Sequence, residues 1–135
     1  MRISLDKHGM MPVQAHNRDA GFDLKSPVAC VIPEGGMVMI DTGVHVELPD
    51  NTCGKIWPRS SMFKKGALCE GTIDEAYRGA IKVCLWNIGS TPIEIDKGDR
   101  IAQLVICPVN YVEMVVVDSL TETDRGDGGF GSTGR

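Results

Sequence analysis

Aromatic residues make up only 5% of the 135-residue chain, and no apolar run is long enough to serve as a signal peptide or to span a membrane. The first stretch, Met1 to Met10, is broken by Arg2, Asp6 and Lys7. Positive charge is also in short supply. Lys and Arg number 14 against 18 Asp and Glu, a formal net charge of -4. That balance argues against a general electrostatic grip on nucleic acid, which relies on many basic side chains displacing counterions. There is no Cys-x-x-Cys pair. The five cysteines, Cys30, Cys53, Cys69, Cys84 and Cys107, are odd in number and widely spaced. A zinc site or redox motif is therefore disfavoured, and reduced thiols in a cytoplasmic protein are expected.

What is present suits one ordinary globular domain, 42% hydrophobic and 24% charged. A chain of this length buries roughly two-thirds of the surface its unfolded form exposes, enough for a core without disulfides or a structural metal. An anionic substrate would be held locally, by a few arginines, backbone N–H groups and a divalent cation.

Strand-like alternation recurs between turn signals. Val44, Val46 and Leu48 alternate with His45 and Glu47, and Ile81, Val83 and Leu85 with Lys82, Cys84 and Trp86. The runs Ile93 to Ile95, Ile101 to Ile106 and Val112 to Val117 add further strands. Only Ser60 to Lys65 can form a turn or two of helix, because Gly and Pro interrupt the rest. The expected class is all-β: a sandwich, jelly roll or barrel with one short helix. A compositional break after Leu120 separates a β core, residues 1–120, from a glycine-rich tail, residues 121–135, that cannot pack a core of its own.

Short segments carry candidate chemistry. In the tail, Arg125 supplies a forked cation, Phe130 a flat face for a base, Ser132 and Thr133 hydroxyl donors, and glycines such as Gly131 close backbone approach to phosphate. A disordered terminus is the plainer alternative. Gly71-Thr72-Ile73-Asp74-Glu75-Ala76-Tyr77-Arg78-Gly79 reads as a hairpin before the strand at Ile81. It could offer backbone groups to a base edge, pack Tyr77 on a sugar and use Asp74 as a general base, or be simply a polar turn. Pro58-Arg59-Ser60-Ser61 leads into the helical stretch, whose first N–H groups are free for an anion. Asp19-Ala20-Gly21-Phe22-Asp23-Leu24 and Gly98-Asp99-Arg100-Ile101-Ala102-Gln103-Leu104 read as turn-to-strand junctions. Asp23 could orient water on a divalent cation and Gln103 could donate to phosphate or water, though spacing alone requires neither.

Taken in chain order, from Ala20 to Gly134, the segments resemble the motifs of the trimeric dUTP diphosphatase (dUTPase) family, ending in Gly-Gly-Phe-Gly-Ser-Thr-Gly. The resemblance implies a distorted jelly roll of β-clip type, assembled as a homotrimer with active sites shared between subunits. It implies dUTP as substrate, Mg²⁺ as cofactor and attack by water on the α-phosphorus, giving dUMP and pyrophosphate. That reaction limits uracil in DNA and supplies dUMP for dTMP synthesis. By the same resemblance Asp74 is the catalytic base, and Gly71, Thr72 and Ile73 read the uracil edge through their backbone. Tyr77 lies against the deoxyribose. Arg59, Ser60, Ser61 and Gln103 contact phosphates. Asp23 acts on Mg²⁺ through water, the metal being otherwise held by the phosphates. From the tail, Arg125, Ser132 and Thr133 grip the γ-phosphate with Gly131 between them, and Phe130 stacks on uracil. Neither nucleic acid nor membrane is an implied partner.

Met62-Phe63 and Glu75-Ala76 depart from the commonest family pattern, which bears on packing of the helix and polarity of the hairpin. Arg78 and Asp99 are read as structural ion-pair formers, and His8, His16 and His45 as surface or structural residues. A dCTP deaminase of the same fold is the nearest rival. The Asp74 to Tyr77 spacing and the full tail favour the diphosphatase, with a bifunctional enzyme or a regulatory binding protein ranked behind it.

Overall fold

The computed structural model describes residues 1–129, so the expectations placed on Phe130, Gly131, Ser132 and Thr133 lie outside the described residues. The chain forms β1 (Arg2–Leu5), β2 (Gly21–Lys25), β3 (Cys30–Ile32), β4 (Met37–Asp41), β5 (Val44–Glu47), β6 (Thr52–Trp57), α1 (Ser60–Lys64), β7 (Ala67–Leu68), β8 (Gly71–Ile73), β9 (Lys82–Asn87), β10 (Ile93–Ile95) and β11 (Arg100–Pro108). It is all-β with a single short helix among the described residues. The strands pair antiparallel in the orders β2-β11-β6-β8, β4-β9-β7, β1-β5 and β10-β3.

Period-two patterning explains the core. Val44 and Val46 of β5, Val83 and Leu85 of β9 and Ile93 and Ile95 of β10 all turn inward. They meet Leu24, Ile56 and Leu104 from the larger sheet. Burying each such aliphatic side chain contributes about 1.5–3 kcal/mol, so one continuous core supports the short strands.

The long strand β11 breaks its own alternation. Its register with β2 shifts between Arg100 and Ala102, so the adjacent Ile101 and Ala102 are both fully buried. This bulge returns Arg100 to the same face as Gln103, which an uninterrupted strand would deny it. Gln103 lies directly opposite Asp23 of β2 and Trp57 of β6. One structural irregularity thus gathers Asp23, Arg100 and Gln103.

Helix α1 is five residues long and buries Met62, while Phe63 is exposed. The methionine therefore takes the core position there. The run Val112 to Val117 differs from its expected strand: it carries no strand assignment, and Met114 and Val116 are 93% and 98% exposed. Its sequence is strand-like, but no described residue of the same chain pairs with it as a strand.

Candidate functional site

An open cleft of about 440 Å³ lies beside β2, β11 and the start of α1. Asp23, Arg59, Ser60, Ser61 and Gln103 line it together. Asp23 organises this wall from a buried position. Its Oδ1 accepts from Nε of Arg59 at 2.7 Å and its Oδ2 from Nη1 of Arg100 at 3.2 Å. Nη1 of Arg59 also donates to Oγ of Ser61 at 3.2 Å and to the Arg100 carbonyl at 3.4 Å. Its Nη2 has no protein partner among the described residues, so the guanidinium is oriented by the fold with one end still free to donate. Gln103 donates through Nε2 to the Pro58 carbonyl at 3.2 Å. Gly21 allows this packing, since a Cβ there would stand 2.5 Å from Oε1 of Gln103.

The hairpin between β8 and β9 stands apart: neither Asp74 nor Tyr77 lines the cleft. β8 is an edge strand, so one side of the Gly71, Thr72 and Ile73 backbone lacks a strand partner in the sheet. The Ile73 side chain is buried, leaving its backbone as the group it can present. The Tyr77 amide donates to the Asp74 carbonyl at 3.0 Å, and the Tyr77 hydroxyl to the Ala80 carbonyl at 3.0 Å. Gly79 makes room for that hydroxyl, because a Cβ would collide with it. The Asp74 side chain is exposed, with no hydrogen-bond partner among the described residues.

Glu75 anchors the hairpin. Its Oε2 accepts from the Asn51 amide at 2.8 Å and from the Tyr111 hydroxyl at 2.9 Å. The latter bond is the main reason the Tyr111 phenol is raised above its usual pKa. Arg78 and Asp99 differ from their expected ion pairing. Nη1 of Arg78 donates to the Glu75 and Tyr77 carbonyls at 2.6 and 3.0 Å, while Oδ2 of Asp99 accepts from the Asp96 amide at 3.0 Å. Both close local turns, where backbone groups lie nearer than any opposite charge. Arg125 is exposed and likewise donates through Nε to the Gly128 carbonyl at 3.0 Å.

The contacts of Arg100 with Asp23 and of Gly21 with Gln103 escaped sequence reasoning, although both residues lie within the quoted segments. The adjacent apolar pair Ile101-Ala102, interrupting strict alternation, is the signal that could have exposed the bulge and with it Arg100. All five cysteines are free. Burial pushes Cys30 upward and is the larger cause, ahead of Cys84, of a Cys69 pKa raised to about 11. No helix is long and apolar enough to cross a membrane among the described residues.

Comparison with known proteins finds similar chains. A deoxyuridine 5'-triphosphate nucleotidohydrolase of Corynebacterium efficiens is 50% identical over 98% of this chain and 76% of its own length. One from Corynebacterium glutamicum is 45% identical over 98% of this chain and 93% of its own. Among solved structures, the Staphylococcus bacteriophage 80alpha dUTPase with dUpNHpp superposes with a TM-score of 0.91 at 28% identity, covering 99% of this chain and 98% of the other. The dUTPase family profile matches residues 7–134, and the chain belongs to the dUTPase family.

Proposed function

We propose that this dUTP diphosphatase converts dUTP to dUMP and pyrophosphate in a homotrimer whose active sites each combine the cleft of one subunit, the hairpin of a second and the tail of a third. The observation that carries the assembly is the separation just described: the cleft gathers Asp23, Arg59, Ser60, Ser61 and Gln103 but leaves out Asp74 and Tyr77. The exposed apolar arm from Tyr111 to Val117 is a second support, since a neighbouring copy supplies the cover it lacks.

The residues take the following roles. Nη2 of Arg59, with Ser60 and Ser61, binds phosphate oxygens, and Arg100 holds Arg59 in place through Asp23. Gln103 positions the α-phosphate and the attacking water. The Asp74 carboxylate takes a proton from that water as the new O–P bond forms and the bridging oxygen leaves with pyrophosphate. The free edge of Gly71 to Ile73 pairs with uracil, and a Tyr77 ring fixed through Ala80 leaves no room for a ribose 2′-hydroxyl. The tail, residues 121–135, closes as a lid on the core, residues 1–120. Arg125, Gly131, Ser132 and Thr133 then meet the γ-phosphate, and Phe130 the uracil.

The residues fit Mg²⁺ of one kind. Both Asp23 oxygens already accept from guanidinium groups and retain lone pairs for a water, so Asp23 suits an ion carried by the triphosphate with its water shell, not a direct protein cage. When bound, Mg²⁺ supplies charge neutralisation on the phosphate oxygens. The consequence in the cell is removal of dUTP before it enters DNA and supply of dUMP for dTMP synthesis.

A pyrophosphate-release assay across dUTP, dCTP, dTTP and UTP, with and without Mg²⁺, tests the reaction. Selective Mg²⁺-dependent release from dUTP is expected; ammonia release from dCTP would decide for deamination. Site sharing is tested by mixing inactive Asp74→Asn and Arg59→Ala chains. An equal mixture reassembled at random should regain about a quarter of native activity, because about three-quarters of the trimers are mixed and one of the three sites in each draws intact parts from both variants. Activity that stays at background would assign cleft and hairpin to a single subunit.

A further inference from the structure

The alternation of β5 places Val44 and Val46 in the core and turns His45 to the opposite face, where its side chain is 26% exposed. Ser4 of the edge strand β1 lies directly across from it. Nδ1 of His45 is 2.8 Å from the carbonyl oxygen of Arg78, in the hairpin that carries Asp74 and Tyr77. Nε2 is 3.2 Å from Oδ1 of Asp6, just after β1. Both partners can only accept. A neutral imidazole has one N–H and can satisfy one of them, whereas the imidazolium donates to both.

The surrounding charges favour that cation. Asp6 follows β1, Asp41 ends β4, Glu47 shares β5, Arg2 stands on β1 and Arg78 on the hairpin. Nε of Arg2 is paired with Oε2 of Glu47 at 3.3 Å, and the Arg78 guanidinium is turned to carbonyls of its own hairpin. His8 shares this cluster, with its Nε2 3.9 Å from Oδ1 of Asp41, so Asp6 is the nearer anion acting on the His45 ring and Asp41 the weaker one.

We propose that His45, as a doubly donating imidazolium, is a positioning residue that pins the Asp74–Gly79 hairpin to the turn after β1 and makes substrate affinity depend on pH. This rests on the reading of the hairpin as the uracil and deoxyribose side of the site. The Arg78 carbonyl is the largest cause that raises the His45 pKa above 6.5, followed by Asp6, while burial opposes them. A raised folded-state value gives a definite sign. The anchor is fully present below the unfolded value and weakens as pH rises through the folded one. Tyr77 adjoins Arg78 in the chain, so a loosened Arg78 carbonyl reaches the substrate chiefly through KM.

The test uses the full chain and two readouts. In the ligand-free protein, NMR titration of the His45 ring, assigned with His45→Gln, should give a pKa above that of an ordinary histidine. It should fall in Asp6→Asn, and the Arg78 and Gly79 amides should titrate with the ring. A ring with an ordinary or lowered pKa, or amides that do not follow it, would overturn the clamp. With dUTP, the KM of His45→Gln divided by that of the native enzyme cancels titration of the substrate itself. The ratio should be about threefold at pH 5.5 and approach one by about pH 8.5, with kcat little changed. A ratio independent of pH would sink the link to affinity. Absence of any dUTP turnover would overturn the assigned reaction, and the ligand-free titration would still decide the clamp.

Discussion

The cleft and the hairpin carry complementary halves of the proposed site on two kinds of foundation. The cleft is centred on β11, which has a strand on each side: Gln103 pairs across to Asp23 of the outer strand β2 and to Trp57 of β6, and the Asp23 carboxylate is shielded and held by Arg59 and Arg100. The hairpin rises from an edge strand and is tied by exposed contacts, Glu75 to Asn51 and Tyr111, and His45 to Arg78. A preorganised wall of donors suits the fixed charge of a triphosphate. A hairpin with one free edge suits a base that must enter and leave. The same difference means that damage to the cleft should reach the fold, whereas damage to the hairpin should stop at the substrate.

The largest expected effect breaks chemistry without touching the fold. Asp74 is exposed and has no side-chain partner among the described residues, so Asp74→Asn should lower kcat by about 10²- to 10⁴-fold with an unchanged Tm and retained nucleotide binding. Single-turnover kinetics and calorimetry check this; near-native turnover would remove Asp74 from its role. Asp23→Ala should do both kinds of harm. It leaves two guanidinium groups facing each other without their carboxylate, at a cost of about 2 kcal/mol after allowance for their partial exposure. It should also lower kcat/KM by about 10- to 100-fold through misplacement of Arg59. Denaturant midpoints equal for the two variants would erase the distinction between the regions.

Glycine substitutions sharpen the comparison at smaller scale. Gly21→Ala forces a Cβ against the Gln103 amide in a paired strand with little freedom to move, and kcat/KM should fall about tenfold. Gly79→Ala presses on the Tyr77 hydroxyl in a turn that can yield, and KM should rise about threefold with kcat nearly unchanged. Steady-state kinetics on both variants decide whether the two regions differ in rigidity; equal effects on kcat would say that they do not.

The sequence made β5 and β9 legible through their period-two patterning, β10 and most of β11 through runs of β-branched residues, and the helix because Gly and Pro interrupt the chain elsewhere. It did not reveal that Val112 to Val117 would stand unpaired, since β propensity describes a strand and not the presence of its partner. The cleft residues were legible from motif order. Their support was not: Arg100 reaches Asp23 only because of a bulge, and Glu75 meets Asn51 and Tyr111 across 24 and 36 residues of chain. Contacts at such separations are set by tertiary packing and leave no local pattern.

The smallest expected effect lies outside both regions, at Cys69, which is 4% exposed between β7 and β8. Burial first, and Cys84 second, raise its thiol from 9.0 to about 11. The fold therefore favours the protonated thiol. This contributes nothing to pH dependence below the unfolded value, and stability should decline as pH rises from about 9 towards 11, where the unfolded chain releases a proton that the folded one retains. Lysines and tyrosines titrate in the same range, so the informative quantity is the difference between the native chain and Cys69→Ala in the slope of the denaturant midpoint against pH. A shallower slope is expected in the variant. The thiol should also resist disulfide-exchange reagents near pH 8 until the protein unfolds, because the thiolate is the reactive form. Parallel slopes and rapid labelling of the folded chain at Cys69 would show that the packing between β7 and β8 opens as readily as an exposed turn.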